Sequence, residues 1–166
     1  MAISDVLVAE FQQEMKATRK LLEAVPEEHL GWKPHEKSMT LGRLAGHIAE
    51  TPEWASGIVN DDVLDVSTVD SGPFNPSTVE ELLAGFDANV KTFNESVSGV
   101  PDEHLEQRWK MTMGDQVLID SRRGPVLRTW ALNHLYHHRG QLTVYLRLLD
   151  IPLPPIYGPT ADAQGF

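Results

Sequence analysis

Three of the seven histidines of this chain lie within five positions of one another, at His134, His137 and His138. Residues four apart on an α-helix share one face, so His134 and His138 can point toward the same ion. His134 and His137, three apart, form a poorer alternative pair. The spacing predicts two nitrogen ligands of a metal site, although a surface pair or two hydrogen-bonded core imidazoles would have the same spacing.

His47 is the best candidate for a third ligand. It borders the apolar face of another predicted helix, and the preceding Gly46 lets a backbone segment or a ligand come close. A lone histidine at such a place is more often a satisfied core residue. Burying three imidazoles together, however, is costly unless each is hydrogen-bonded or they share a cation. We therefore predict a metal site formed by His47, His134 and His138. The other histidines are interpreted as exposed: His29, His35 and His104.

Such a site would have only nitrogen ligands, because the chain contains no cysteine. Three neutral imidazoles leave an open coordination position, which makes a bound ion a Lewis acid or a source of hydroxide. Zinc, nickel and iron(II) all accept these ligands. Glu50, three residues after His47, is either a general acid or base or an outer-face residue of its helix.

Four residues are predicted near the open position, and three of them have simpler interpretations. Arg139 could be a surface or interface cation, Gln141 a hydrogen-bond partner of a ligating imidazole, and Tyr145 a core residue. The fourth residue is Tyr157, in the proline-rich tail.

Four amphipathic helices must position these side chains. Apolar residues recur every three or four positions over residues 4–24, 41–59, 77–99 and 124–150. Thr40 or Ser38 can cap the second helix, Ser77 or Thr78 can cap the third, and Pro52 is expected to kink the second. The pattern predicts an all-α four-helix bundle with a long polar connection over residues 60–76. Period-two alternation around Gly114-Asp115 predicts a short hairpin between helices 3 and 4.

Length and composition limit the classes of protein to which this chain can belong. The 166 residues suit one domain spanning residues 1–166, and a net charge of -10 argues against nucleic-acid binding. The sequence shows neither a signal peptide nor a membrane span, so we expect a soluble cytoplasmic protein. A small anionic ligand would favour the last third of the chain, where five arginines are concentrated: Arg122, Arg123, Arg128, Arg139 and Arg147.

Three motifs resemble the DinB-like family: the segment from Ser38 to His47, Asn133-His-Leu-Tyr-His-His-Arg-Gly-Gln141, and Tyr157-Gly-Pro-Thr-Ala-Asp162. The resemblance covers essentially the whole chain. It implies an antiparallel bundle with a long connection between helices 2 and 3, a divalent metal, zinc or nickel, held by His47, His134 and His138, and a homodimer. The family is damage-inducible and includes bacillithiol- and mycothiol-dependent transferases, an isomerase and proteins classed as hydrolases.

Our first interpretation is a metal-dependent S-transferase that activates a low-molecular-weight thiol to attack a small electrophilic substrate. The thiol would supply the nucleophile that a chain without cysteine lacks. One alternative is a hydrolase that uses metal-bound water. Another is a non-catalytic, stress-induced protein that binds metal or a protein partner, and a third is that the histidines bind nothing.

Overall fold

The protein is described by a computed structural model that covers residues 1–69 and 72–163. Two long helices, α1 and α4, pack side by side, and α4 also packs against α2 and α3. Helix α2 in turn packs against α7. The helices are α1 (Ile3–Glu23), α2 (Leu41–Glu50), α3 (Trp54–Asn60), α4 (Val79–Val97), α5 (Asp102–Leu105), α6 (Arg123–Val126) and α7 (His134–Leu148).

The apolar stripes of these helices form the core, as the periodicity predicts. Leu7, Phe11 and Leu21 of α1 are almost completely buried, as are Phe86 and Phe93 of α4. Burying one such side chain is worth about 1.5–3 kcal/mol. The core therefore holds α2 and α7, which carry the three candidate ligands, in fixed relative positions.

Threonine hydroxyls cap the two helices for which the sequence offers alternatives. Thr40 Oγ1 accepts a hydrogen bond from the Arg43 amide at 3.2 Å, and Thr78 Oγ1 accepts one from the Glu81 amide at 3.1 Å. Each bond satisfies an amide of the first turn that has no partner within the helix. The start of α2, and hence the position of His47, is set by this local chemistry.

The second predicted helix is interrupted at Pro52, as expected for a residue without an amide hydrogen. A 3₁₀ turn over Thr51–Glu53 separates α2 from α3. The Thr51 hydroxyl donates to the His47 carbonyl oxygen at 2.7 Å. The interruption directs Trp54, the first residue of α3, toward the histidines.

The fourth predicted helix is continuous but not uniform. Residues Leu127–Asn133 form a π-helical segment between α6 and α7, directly before His134. The periodicity of the sequence does not reveal this wider turn, because seven residues are too few to distinguish the period of a π-helix from that of an α-helix. Wide turns of this kind are frequent at functional sites.

A three-stranded sheet lies beside the helices, with strand order β1–β2–β3. Strands β2 (Arg108–Met113) and β3 (Gln116–Arg122) form the predicted hairpin, which turns at Gly114 with a φ of 57°. Strand β1 (Val63–Asp65) pairs in parallel with β2.

Strand β1 lies inside the long polar connection of residues 60–76, where the sequence pattern predicted no strand, and none of its residues is fully buried. Its three residues are too few for a detectable period, and its pairing partner is remote in sequence. The long connection between the second and third predicted helices is present, except that residues 70 and 71 lie outside the described residues. Across the described ranges, no helix is long and apolar enough to cross a membrane.

Candidate metal centre

Helices α2 and α7 bring His47, His134 and His138 together. The Nε2 atoms of His47 and His134 are 2.9 Å apart, and those of His138 and His134 are 3.1 Å apart. One potential ligand atom from each ring lies within 4.8 Å of the others. The three residues could therefore hold one metal ion.

Hydrogen bonds at the opposite ring nitrogens determine which atoms face the centre. His47 Nδ1 lies 2.6 Å from Glu50 Oε1, and His138 Nδ1 lies 2.7 Å from Gln141 Oε1. Both oxygens accept, so either ring in its neutral form carries its hydrogen on Nδ1 and has a lone pair on Nε2. Gln141 thus has the role of imidazole partner considered from the sequence.

The three Nε2 atoms cannot all be satisfied by one another. His134 Nε2 can carry one hydrogen at most, and that hydrogen can point to only one of the two facing lone pairs. At least one partly buried lone pair is left without a donor within the triad. A cation at the centre would remove this deficit, so the donor set fits a divalent ion with imidazole ligands.

Glu50 is held firmly in place. Its carboxylate accepts from Arg43 Nη2 at 2.9 Å and from the Phe74 amide at 2.8 Å, in addition to His47. Burial by itself raises the pKa of Glu50, but the hydrogen bonds from His47, Phe74 and Arg43 outweigh it and lower the pKa below the usual value. The outer-face interpretation of Glu50 is therefore wrong, and its contacts suit an anion that orients His47.

Burial also disfavours the charged forms of His134 and His138. It lowers the pKa of His134 to about 4, and the neighbouring His138 and His47 add to the effect. Burial likewise lowers the pKa of His138, even though the bond to Gln141 favours its charged form. Because a metal binds neutral imidazole, both rings are in the competent protonation state at neutral pH.

Gly46 has the role that its position next to His47 suggested. A Cβ atom there would lie 2.3 Å from the Phe74 carbonyl oxygen and 2.8 Å from Pro76 Cδ. The absence of a side chain allows the connection before α4 to cross directly over α2. That crossing also delivers the Phe74 amide to Glu50.

Two indole rings flank His134, and the sequence analysis did not include them in the site. The Trp54 ring centroid is 5.3 Å from that of His134, and the Trp130 ring lies 5.4 Å away, inclined by 27°. Both indoles also line a cavity of about 590 Å³. A second cavity of about 450 Å³, lined in part by Glu50, shares Trp54 with the first. The signal that could have identified Trp130 is its position four residues before His134.

Arg139 and Tyr157 do not lie where the sequence analysis placed them. The Arg139 side chain is buried, with Nη2 bonded to Glu14 Oε2 at 2.7 Å and to the Tyr157 hydroxyl at 2.5 Å. The Tyr157 hydroxyl also donates to Glu14 at 2.8 Å. Arg139 is therefore neither a surface cation nor a neighbour of the open position, because it joins α7 to α1 and to the tail. Tyr145 packs against Trp32, as expected for a core residue.

The four histidines outside the triad lie in two kinds of environment. His29, His35 and His137 are exposed, whereas His104 is partly buried, with Nε2 2.8 Å from the Val59 carbonyl oxygen. The exposed interpretation of His104 is wrong because α5 packs its ring against the end of α3.

Comparison with known proteins is consistent with this architecture. The sequence profile of the DinB family matches residues 1–164. The chain belongs to the DinB family. The uncharacterized protein YrdA of Bacillus subtilis is 27% identical over 160 residues, which are 95% of this chain and 90% of YrdA.

Two crystal structures of DinB-like proteins share the fold. The protein from Bacillus cereus has a TM-score of 0.71 at 24% identity and covers 91% of this chain and 95% of its own. YjoA of Bacillus subtilis has a TM-score of 0.71 at 20% identity, over 96% and 99% of the two chains.

Proposed function

We propose that this DinB-family protein binds a divalent metal ion, zinc or nickel, through Nε2 of His47, His134 and His138. The observation that carries the proposal is the convergence of three Nε2 atoms from α2 and α7, with at least one lone pair left without a donor. The hydrogen bonds of Glu50 and Gln141 support it, because second partners of this kind orient ligating imidazoles.

We further propose that the reaction is transfer of a low-molecular-weight thiol to an electrophilic substrate. A divalent ion on three neutral imidazoles supplies a Lewis acid that lowers the pKa of a thiol, as it does for other bound ligands. The chain itself has no cysteine to provide a sulfur nucleophile. The indoles of Trp54 and Trp130 would exclude water from one side of His134, which favours sulfur over water as the attacking atom.

Metal binding is tested by elemental analysis of protein purified without a histidine tag. We expect about one equivalent of metal in the wild type, as for a three-histidine site, and none in folded His134→Ala. His137→Ala is the matched control, because His137 is exposed on the same helix and should leave the metal content unchanged. A folded wild type that takes up no zinc or nickel would contradict the proposal.

The reaction class is tested with cobalt in place of the natural metal. A cellular thiol added to the cobalt protein should change its visible absorption spectrum, because a sulfur ligand alters the ligand field. A cobalt protein whose spectrum responds to no thiol, but which hydrolyses activated esters, would favour the hydrolase alternative.

A further inference from the structure

The cavity beside His134 is lined mainly by apolar side chains. Its walls include three of the four tryptophans of the chain, together with aliphatic and thioether groups: Trp54, Ile58, Leu64, Trp109, Met111 and Trp130. Its volume of about 590 Å³ lies within the range of about 300–1,000 Å³ that is typical of small-molecule sites. The composition favours a ligand with a large apolar surface.

The aromatic walls favour a flat ligand. Trp54 and Trp130 have ring centroids 6.4 Å apart with planes inclined by 53°. Indole faces stack on other aromatic rings, and the negative potential of those faces also attracts cations. Met111 adds a polarisable sulfur, which makes favourable contacts with aromatic rings.

The charges around the cavity disfavour an anion. Glu53 is the one charged side chain among the described residues that line it. The five arginines that could have attracted an anion are each paired with a carboxylate: Arg122 with Glu106, Arg123 with Asp62, Arg128 with Glu10, Arg139 with Glu14, and Arg147 with Asp162. A ligand with a negative charge would meet the Glu53 carboxylate without a compensating cation.

We propose that this cavity binds a flat aromatic molecule that carries no negative charge, and that this molecule is the electrophilic substrate. Its role as a substrate rests on the proposed function, whereas its binding does not. Trp54 and Trp130 contact His134 and also line the cavity, so these two indoles join the cavity to the histidine triad and a ring stacked on them lies one side chain away from His134.

The test uses three probes with one ring system and different charges: 2-naphthylmethylamine, 2-naphthylmethanol and 2-naphthoate. Their binding to chelator-treated, metal-free protein is measured by isothermal titration calorimetry. We expect the amine and the alcohol to bind, with the amine the tighter of the two, and the carboxylate to bind at least about tenfold more weakly than the alcohol.

Two substitutions test separately how the free space of the cavity and its negative charge contribute to probe binding. Gly57 lines the cavity, and a Cβ atom there would meet only Asp61 Oδ2, at 3.6 Å, so Gly57→Leu can fill the space without a backbone clash. This variant should lose binding of all three probes. Glu53→Gln should weaken binding of the amine to the affinity of the alcohol and leave the affinity of the alcohol unchanged.

The matched control is Gly31→Leu, at an exposed turn where a Cβ atom meets nothing within 4 Å. It should bind like the wild type, and thermal unfolding verifies that each variant is folded. The proposal is wrong if none of the probes binds, if naphthoate binds as tightly as the alcohol, or if folded Gly57→Leu still binds the alcohol.

Metal analysis of the same preparations distinguishes the two proposals. Probe binding with the expected order in a protein that takes up no metal would uphold the cavity and contradict the proposed function. One equivalent of metal in a protein that binds none of the probes would uphold the proposed metal site and contradict the cavity proposal.

Discussion

At His47, the hydrogen bond to Glu50 determines which ring nitrogen is free to bind a cation. The carboxylate can only accept, so it places the hydrogen on Nδ1 and the lone pair on Nε2. Arg43 and the Phe74 amide hold the carboxylate in position. The Nε2 lone pair of His47 is thus oriented by three residues that do not themselves face the centre.

We expect Glu50→Gln to lower metal affinity by about 10–100-fold, because a neutral amide orients His47 less strongly and no longer supplies the negative charge. Metal competition with a chromophoric chelator measures the affinity. Glu53→Gln is the control, since this carboxylate lies three residues further along and is exposed. Equal affinities of the Glu50 variant and the wild type would show that Glu50 does not orient the ligand.

The low pKa of His134 predicts that the metal-free protein loses stability in mild acid. The ring titrates near 6.5 when unfolded but at about 4 in the folded protein, so the unfolded chain binds the additional proton between these values. Stability from this residue is fully present above about pH 6.5 and is lost as the pH falls toward 4.

Thermal unfolding of chelator-treated protein at pH 7 and pH 5 measures this effect. The melting temperature should be lower at pH 5, and the difference should shrink in His134→Gln, which cannot titrate. His29→Gln, at an exposed position, should retain the wild-type difference. If the His134 and His29 variants behave alike, His134 is not the group responsible.

At the scale of elements, the close crossing of α2 and the connection before α4 depends on Gly46. A Cβ atom at this position would overlap the Phe74 carbonyl oxygen, which belongs to the backbone and cannot simply turn away. We expect Gly46→Ala to destabilise the protein by about 1–3 kcal/mol, as overpacking does.

The comparison is Gly140→Ala, in the interior of α7, where a Cβ atom meets nothing within 4 Å. This change should stabilise the protein by about 0.5–1 kcal/mol, because alanine loses less backbone entropy in a helix. Urea denaturation measures both. Changes of the same sign in the two variants would contradict the assigned role of Gly46.

The ion pair of Arg139 with Glu14 joins α7 to α1 in the protein interior. Both side chains are nearly fully buried. Arg139→Met leaves Glu14 without its charge partner, and we expect a loss of about 3–5 kcal/mol. Arg128→Met breaks an ion pair with Glu10 of the same α1 helix, but at an exposed position, and should cost less than about 1 kcal/mol. Urea denaturation of the two variants tests this ranking, and equal losses would show that burial does not decide the cost.

At the scale of the whole molecule, we propose that two copies associate through the outer face of α7. Val144 and Leu148 lie four residues apart on this face and are 58% and 59% exposed, an apolar pair that a second copy would cover.

Light scattering after gel filtration should give the mass of a dimer for the wild type. Val144→Glu with Leu148→Glu should give that of a monomer, because burying two unpaired charges is costly. Val117→Glu, which changes an equally exposed valine in β3, is the control and should remain dimeric. A monomeric wild type would contradict the proposed association.

The sequence by itself determined what depends on neighbouring residues. Helix periodicity, the presence of a hydroxyl cap at two helix starts, the interruption at Pro52 and the hairpin turn at Gly114 are all set within a few positions, and the structure has each of them. The structure also decided between serine and threonine at each cap. That His134 and His138 share one face likewise follows from their spacing within a single helix. The position of His47 beside Gly46, at the border of the apolar face of another predicted helix, added it to this pair, and the resemblance to the DinB-like family implied the same three residues.

Only the tertiary structure decided the relations between distant segments. The contact of His47 with His134 spans 87 residues, and that of Arg139 with Glu14 spans 125. The pairing of β1, the burial of Arg139 and the aromatic cavity depend on which surfaces the packed core brings together, and no local period encodes that choice. Spacing within a helix therefore indicated which residues could bind a metal, whereas packing between helices determined what surrounds them.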